Sequence, residues 1–151
     1  MRMLRVGCVL LSVLAAFPYG STQAAATCGF GVSTVKKVLD DGNAAELVEE
    51  DKADVYTVKL GAGEHYVELL SPGDVDLKAC KKSKIGWTQV CESTNPGGWD
   101  LCIAEGLDGW PGAGPPLKGP GTFQIHVLHC MASECGLPKS GAPLPYVISV
   151  Q

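Results

Sequence analysis

The chain has 151 residues, of which 12 are Lys or Arg and 16 are Asp or Glu, so its formal net charge is −4. An acidic surface is repelled by polyanions and phosphate recognition needs basic surfaces, so the composition argues against binding to nucleic acid or anionic lipid. The length fits one domain with a substantial hydrophobic core.

Residues 1–26 have the features of an export signal that is cleaved from the protein. Two arginines lie among the first five residues, an apolar run extends from Val6 to Phe17, and Ala24 to Ala26 offer small residues for cleavage before Thr27. The run is shorter than the roughly 20 residues that cross a bilayer, and no later segment is long enough. We therefore expect a secreted or periplasmic protein with no membrane insertion after cleavage.

Residues 27–49 form an N-terminal extension whose regular structure the sequence leaves open. Val35, Leu39 and Ala44 have some helical spacing, but the cluster from Asp40 to Asn43 interrupts it. We expect a short helix, a loop or a first strand region here, ahead of a sandwich domain over residues 50–151.

The next segments alternate in the manner of half-buried strands. From Asp54 to Leu60, Tyr56, Val58 and Leu60 share one face, while the residues between them share the other. Residues 61–64 predict a turn and residues 65–70 a second strand, which the Ser-Pro-Gly sequence at 71–73 ends.

Several later segments also predict strands, and the Gly and Pro residues between them are typical of an all-β domain. The fold class that we predict is a single antiparallel β-sandwich, jelly-roll-like and linked by disulfides. Residues 105–121, rich in Gly and Pro, predict a long surface loop. The further strand candidates are 75–80, 87–92, 99–104, 122–130 and 146–150.

Six cysteines remain after removal of Cys8 with the signal, and an exported protein favours disulfides over metal or redox chemistry. A hairpin centred on the Asn-Pro-Gly-Gly turn at 95–98 would place Cys91 opposite Cys102. A four-residue loop separates Cys130 from Cys135, which favours a local bond. Cys28 and Cys80 then pair by subtraction, although Cys80 could instead join Cys91 or Cys102.

Five segments, in order, resemble the bacterial pre-peptidase C-terminal domain, a β-sandwich that follows the catalytic domain of many secreted peptidases. The resemblance implies this fold and a non-catalytic accessory or binding role. No peptidase domain occurs within the 151 residues, so proteolysis is not implied, and the extra cysteines and the 105–121 loop depart from the family pattern. The segments are Asp54 to Glu64, Gly73 to Leu77, Gly98 to Cys102, Gly119 to Val127 and Tyr146 to Val150.

No catalytic motif accompanies this pattern, and we expect no enzymatic activity. His126 and His129 are three residues apart in a predicted strand, so their side chains should point to opposite faces and should not share a metal. His65 lies alone in another strand. A hydrolase assembled from distant residues stays a minor alternative, because triads do not depend on chain order.

Asp74 and Asp76 are the predicted metal ligands, and calcium is the metal that they suit. They flank Val75 at the start of a strand, so both carboxylates can lie on one side with backbone carbonyls nearby. Two carboxylates fall short of the six to eight oxygens that calcium takes. The alternative is that one Asp caps the preceding turn while the other pairs with a Lys.

Trp110 is the predicted ligand-binding residue, since an exposed ring in the 105–121 loop could stack on a sugar or a proline. Trp87 and Trp99 are interpreted as packing residues. The sequence thus predicts a secreted binding or accessory module for an extracellular polymer or a secreted protein. The alternative function is an effector or inhibitor that presents the 105–121 loop to a protein partner.

Overall fold

The structure is a computed structural model, and it describes residues 28–50, 52–94, 99–102, 113–129 and 142–151. The described residues form strands and no helix, so none of them belongs to a helix that could cross a membrane. In chain order the strands are β1 (Ser33–Lys37), β2 (Asn43–Val48), β3 (Lys52–His65), β4 (Val67–Leu70), β5 (Val75–Ser83), β6 (Gly86–Ser93), β7 (Trp99–Cys102), β8 (Leu117–His129) and β9 (Leu144–Val150).

These strands form a five-stranded sheet, β1-β3-β8-β5-β6, and a four-stranded sheet, β2-β9-β4-β7. From β2 to β9 they pair from the outside inward: β2 with β9, β3 with β8, β4 with β7, and β5 with β6, each pair antiparallel. The chain therefore folds back as one long hairpin wrapped into two sheets, the connectivity of a jelly roll. The predicted all-β, jelly-roll-like sandwich is confirmed, with β1 added parallel to β3.

The N-terminal extension, whose structure the sequence left open, forms β1 and β2. A turn separates the two strands: Asp40 and Asn43 exchange backbone hydrogen bonds of 2.8 and 2.9 Å, and Gly42 has a φ of 81°. Each strand then joins a different sheet. A helix does not form because this turn reverses the chain between Leu39 and Ala44, in the middle of the segment that had some helical spacing.

The strand β3 continues through residues 61–64, so the predicted turn there is wrong. The pairing of β3 with β8 shifts between Leu60 and Gly63, which makes a β-bulge. Gly119 of β8 lies so close to β3 that an added Cβ would overlap the carbonyl oxygen of Gly61. The glycines in this region serve a bulge and a close approach of two strands, and they do not reverse the chain.

Both sheets turn alternate side chains toward one core, as the period of two predicts. Tyr56 of β3 is fully buried, and Val58 and Leu60 pack against the core from the same face. Each fully buried Leu, Ile or Phe in such a core contributes roughly 1.5–3 kcal/mol to folding. The other fully buried members include Val67, Leu69, Val75, Leu77, Phe123, Ile125, Val127 and Ile148.

Two disulfides link the described residues. Cys28 is bonded to Cys80 with Cα atoms 6.0 Å apart, and Cys91 is bonded to Cys102 with Cα atoms 6.1 Å apart. These are the two pairings that the sequence analysis put forward for these four cysteines. The predicted bond between Cys130 and Cys135 lies outside the described residues.

The geometric argument for Cys91–Cys102 is nevertheless wrong. The strand β6 pairs with β5 and β7 pairs with β4, so the disulfide joins the edges of two sheets and does not cross a hairpin. After β6, the hydroxyl of Ser93 donates to Asp100 Oδ1 at 2.6 Å and accepts from the Leu101 amide at 3.3 Å. These bonds hold the chain where it passes from one sheet to the other.

Residues 113–116 lie against this disulfide. Gly114 donates its amide to the Leu101 carbonyl at 2.8 Å, and a Cβ at Gly114 would overlap Cys91 Sγ and lie 2.7 Å from the Glu92 carbonyl oxygen. Residues 117–121, which the sequence placed in a loop, belong to β8. Residues 103–112 lie outside the described part of the chain.

We predict that Gly114→Ala destabilises the protein by about 1–3 kcal/mol, because its Cβ meets backbone and a disulfide that cannot easily move. The control is Gly61→Ala, where an added Cβ meets no atom within 4 Å. Thermal unfolding followed by circular dichroism should show a melting temperature several degrees lower for Gly114→Ala alone. Equal melting temperatures for the two variants would show that residues 113–116 are not packed against the disulfide.

Candidate functional site, the outer face of the four-stranded sheet

An apolar row crosses the outer face of the four-stranded sheet. The register places Ala45 of β2 opposite Val147 of β9, Val147 opposite Leu70 of β4, and Leu70 opposite Trp99 of β7. Opposite residues on adjacent strands project to the same face, so the four side chains lie side by side. Val147 is 48% exposed and Leu70 is 42% exposed. We call these four residues the apolar row.

A shallow groove of about 630 Å³ runs beside the apolar row. In its floor Leu47 of β2 lies opposite Pro145 of β9, and Leu47 is 54% exposed. The hydroxyl of Ser71 donates to the Pro145 carbonyl at 2.9 Å and so fixes the end of β4 against β9. The groove is lined by Lys37, Ala45, Glu46, Leu47, Leu70, Pro72, Pro145, Tyr146 and Val147.

Polar groups beside the row and groove are paired with one another. Lys37 Nζ donates to Glu46 Oε2 at 2.9 Å, and this hydrogen bond raises the pKa of Lys37. On the far side of the row, Trp99 Nε1 donates to Glu68 Oε1 at 3.1 Å. The site therefore combines an aliphatic centre with polar neighbours that are hydrogen-bonded to one another, Lys37 with Glu46 and the Glu68 carboxylate with a neutral indole.

A buried hydrogen-bonded chain lies behind the groove. Tyr146 of β9 donates its hydroxyl to Asp54 Oδ2 of β3 at 2.7 Å, and the hydroxyls of Tyr146 and Tyr56 lie 2.6 Å apart. Lys37 Nζ is 3.9 Å from the same Asp54 oxygen. These bonds join the two sheets through the core, and they fix which face of β9 points inward.

Burial shifts the acid–base equilibria of this chain. It raises the pKa of Asp54, although the hydrogen bond from Tyr146 and the charge of Lys37 act in the opposite direction. It also raises the pKa of Tyr56 to about 12. The pKa of Tyr146 is raised as well, by burial first and then by its hydrogen bonds with Tyr56 and Asp54. Both phenols therefore remain protonated donors at neutral pH.

The raised pKa of Asp54 predicts a pH dependence of stability. The folded state holds the Asp54 proton more tightly than the unfolded state, whose pKa is near 3.8, so this group destabilises the fold progressively as pH rises through the folded pKa. Asparagine carries no such proton. The free energy of unfolding of Asp54→Asn, relative to wild type, should therefore increase between ~pH 4 and ~pH 7 in urea titrations.

The control for this prediction is Glu64→Gln, which removes the same charge from an exposed side chain paired with Lys118. That pair should contribute little, so no comparable rise is expected. The difference in free energy of unfolding between Asp54→Asn and wild type could instead stay constant with pH, or could change in favour of wild type as pH rises. Either result would contradict the raised pKa of Asp54.

The predicted metal ligands Asp74 and Asp76 lie at the start of β5. Asp76 is buried and Asp74 is partly buried, and burial raises the pKa of Asp74 while His129 lowers it. Among the described residues, neither belongs to a group of three side chains with ligand atoms close enough to hold a metal. Any calcium bound here would need backbone carbonyls and water for most of its ligands.

Calcium binding stays a prediction. It requires that a chelator lowers the melting temperature of the wild-type protein and that Asp74→Asn with Asp76→Asn removes this sensitivity. Differential scanning fluorimetry with calcium and with chelator measures both effects. Identical wild-type melting curves in the two solutions would refute it.

The histidines are arranged as the sequence predicted, on opposite faces of β8. His129 lies opposite Val75, whose side chain belongs to the core, whereas His126 lies opposite Lys78 on the outer side of the five-stranded sheet. Both are buried. His65, at the end of β3, has Nε2 3.2 Å from the Gly61 carbonyl and serves the bulge region.

The structure describes two of the three tryptophans. Trp110 lies outside the described residues, so its role in ligand binding stays a prediction. Trp99 is half-buried and packs on the outer sheet face beside Leu70. Trp87 is half-buried in β6.

Sequence reasoning did not single out Leu70 or Val147, although both lie in predicted strands. The available signal was the absence of clean alternation: residues 67–70 and 146–150 place apolar side chains on both faces. An antiparallel strand with one solvated face normally alternates apolar with polar residues. Apolar residues on both faces therefore predict a strand whose outer face is also partly apolar.

Comparison with solved structures supports the fold. The pre-peptidase C-terminal domain of collagenase from Bacillus anthracis superposes with a TM-score of 0.50 and 13% identity, over 82% of this chain and 99% of that one. The chain therefore has the fold of the domain that its sequence resembles. At this identity the likeness establishes the fold alone.

Two weaker likenesses involve other proteins. The periplasmic inhibitor of g-type lysozyme from Salmonella Typhimurium aligns with a TM-score of 0.47 and 13% identity, over 79% of this chain and 96% of that one. The surface-associated copper-binding protein CorA of Methylomicrobium album BG8 aligns at 0.45 and 12%, over 79% and 98%. No protein-family model and no curated protein sequence matches the chain.

Proposed function

We propose that the protein is a secreted, non-catalytic binding module that holds a protein partner against the outer face of its four-stranded sheet. The observation that carries the proposal is the apolar row. Exposed apolar residues are ordinary when single, as Ile85 is here, but a contiguous apolar surface with a polar rim is typical of an interaction site. The row extends through all four strands of the sheet.

The chemistry of this surface favours a protein over a polysaccharide. Its centre consists of Ala, Val, Leu and Pro side chains, which offer no hydrogen bonds. The polar groups beside it are engaged already: Lys37 with Glu46, and the Trp99 indole with Glu68. Sugar hydroxyls that lose water need hydrogen-bonding partners, whereas the apolar side chains of a protein do not.

Secretion is supported by the disulfides and by the export signal that the sequence predicts. Bonds such as Cys28–Cys80 and Cys91–Cys102 persist in oxidising compartments. A non-catalytic role is supported by the sequence, which contains no catalytic motif, and by the placement of His126 and His129 on opposite faces of β8, where they cannot act together.

We predict that Leu70→Ser combined with Val147→Ser weakens partner binding at least about tenfold, since apolar contact area at the centre of an interface is lost. The matched control is Ile85→Ser, which removes a 96% exposed apolar side chain near the β5–β6 turn, away from this face. Each immobilised protein is exposed to the culture medium of the producing cells, and retained proteins are identified and re-measured as purified partners.

A partner that wild type and Ile85→Ser retain equally, and that the double variant loses, supports the proposal. Sedimentation with collagen, peptidoglycan, chitin and cellulose provides the second arm. If wild type sediments with collagen and the double variant does not, the result agrees with a protein partner. Retention on a polysaccharide that needs the row, or a partner held equally by the double variant, would contradict it.

A further inference from the structure

A second cluster lies on the opposite sheet and combines two sulfur atoms with an imidazole. The Sγ atoms of Cys28 and Cys80 and a ring nitrogen of His126 all lie within 4.8 Å of one another. The closest approach of the ring to sulfur joins His126 Nε2 to Cys28 Sγ at 3.4 Å. Among the described residues, no other group of three His, Cys, Asp or Glu side chains has ligand atoms this close together.

The fold positions each of these three atoms. Cys80 lies opposite Gln124 and Lys78 lies opposite His126 in the β5–β8 pairing, so Cys80 and His126 project from the same outer face. Cys28 approaches from the segment that precedes β1. Gly29 closes over the ring, because a Cβ there would lie 3.5 Å from His126 Cε1.

Lys78 keeps the Cys28 segment against the sheet independently of the disulfide. Its Nζ donates to the Gly29 carbonyl at 3.2 Å and lies 4.5 Å from the centre of the Phe30 ring. The same Nζ is 3.1 Å from Glu92 Oε1. These contacts do not involve sulfur, so they hold Cys28 near Cys80 and His126 after the S–S bond is opened.

His126 is suited to bind a metal. The residue is 5% exposed, and Nε2 is the ring nitrogen that approaches Cys28 Sγ, at 3.4 Å. A neutral imidazole offers a lone pair to a metal, which an imidazolium does not.

We infer that the reduced protein binds one Cu(I) ion through Cys28, Cys80 and His126. Thiolates are soft ligands that favour Cu(I) and zinc, and imidazole suits both metals. Structural zinc sites have four ligands in a tetrahedron, and the described cluster supplies three. Two thiolates with Cu(I) leave one negative charge, and the Lys78 ammonium lies near the site in an ion pair with Glu92. These features favour copper over zinc.

The disulfide makes this site conditional on redox state. An external dithiol delivers two electrons and two protons to the Cys28–Cys80 bond, which becomes two thiols while the dithiol becomes its own disulfide. Binding of Cu(I) then displaces the two thiol protons. The oxidised protein has no thiolate at this position, so reduction of the disulfide is what creates the metal site.

The experiment is an anaerobic titration of oxidised and dithiol-reduced protein with Cu(I), in competition with a chromophoric Cu(I) chelator. We expect tight uptake of Cu(I) at this site after reduction and none there before. His126→Gln should weaken binding at least about tenfold, since loss of a ligand costs no less than loss of a supporting residue. His129→Gln, buried on the other face of the same strand, is the matched control and should bind as wild type does.

A second pair of variants separates this site from the other cysteines. Cys28→Ser should abolish the tight binding, whereas Cys91→Ser should retain it. X-ray absorption of the wild-type copper complex gives a readout that needs no variant, with two sulfur ligands and one nitrogen expected. Coordination by sulfur alone, equal affinity for His126→Gln and wild type, preference for zinc, or no uptake by folded reduced protein would overturn the inference.

Discussion

The hydroxyl of Tyr146 fixes the relation between the two sheets. It donates to Asp54 and pairs with the hydroxyl of Tyr56, so β9 of one sheet is bonded to β3 of the other through the core. Side chains alternate along a strand, and a slip by one residue would move every side chain to the other face. With Tyr146 held inward, Pro145 and Val147 must face outward, and the exposed apolar surface follows from this buried bond.

The two functional proposals use opposite sides of the sandwich. The apolar row lies on the outer face of the four-stranded sheet, while the Cys28, Cys80 and His126 cluster lies on the outer face of the five-stranded sheet. The closed core between them is shared by both sheets. A change in the redox state of Cys28 and Cys80 therefore alters one surface without removing any contact from the other.

Period-two alternation made much of this fold predictable from sequence. Tyr56, Val58 and Leu60 share a face as expected, and the side chains of His126 and His129 project from the two different faces of β8. The route of the chain between sheets was not predictable, because the sequence at 95–98 reads as a hairpin turn whether or not the flanking strands pair. The prediction of a turn at residues 61–64 was wrong for a similar reason, since a β-bulge and a turn both use glycine. Only the close approach of Gly119 to this segment distinguishes the two. The apolar row depends on the register between four strands, which no local pattern contains.

The most direct test of the binding surface is hydroxyl-radical footprinting of the protein alone and in complex with the partner it retains. If the outer face of the four-stranded sheet is the interface, Leu47, Leu70 and Val147 become protected in the complex, while Ile85 keeps its reactivity. Protection of Ile85 with unchanged reactivity at Leu70 and Val147 would place the partner elsewhere and would contradict this account.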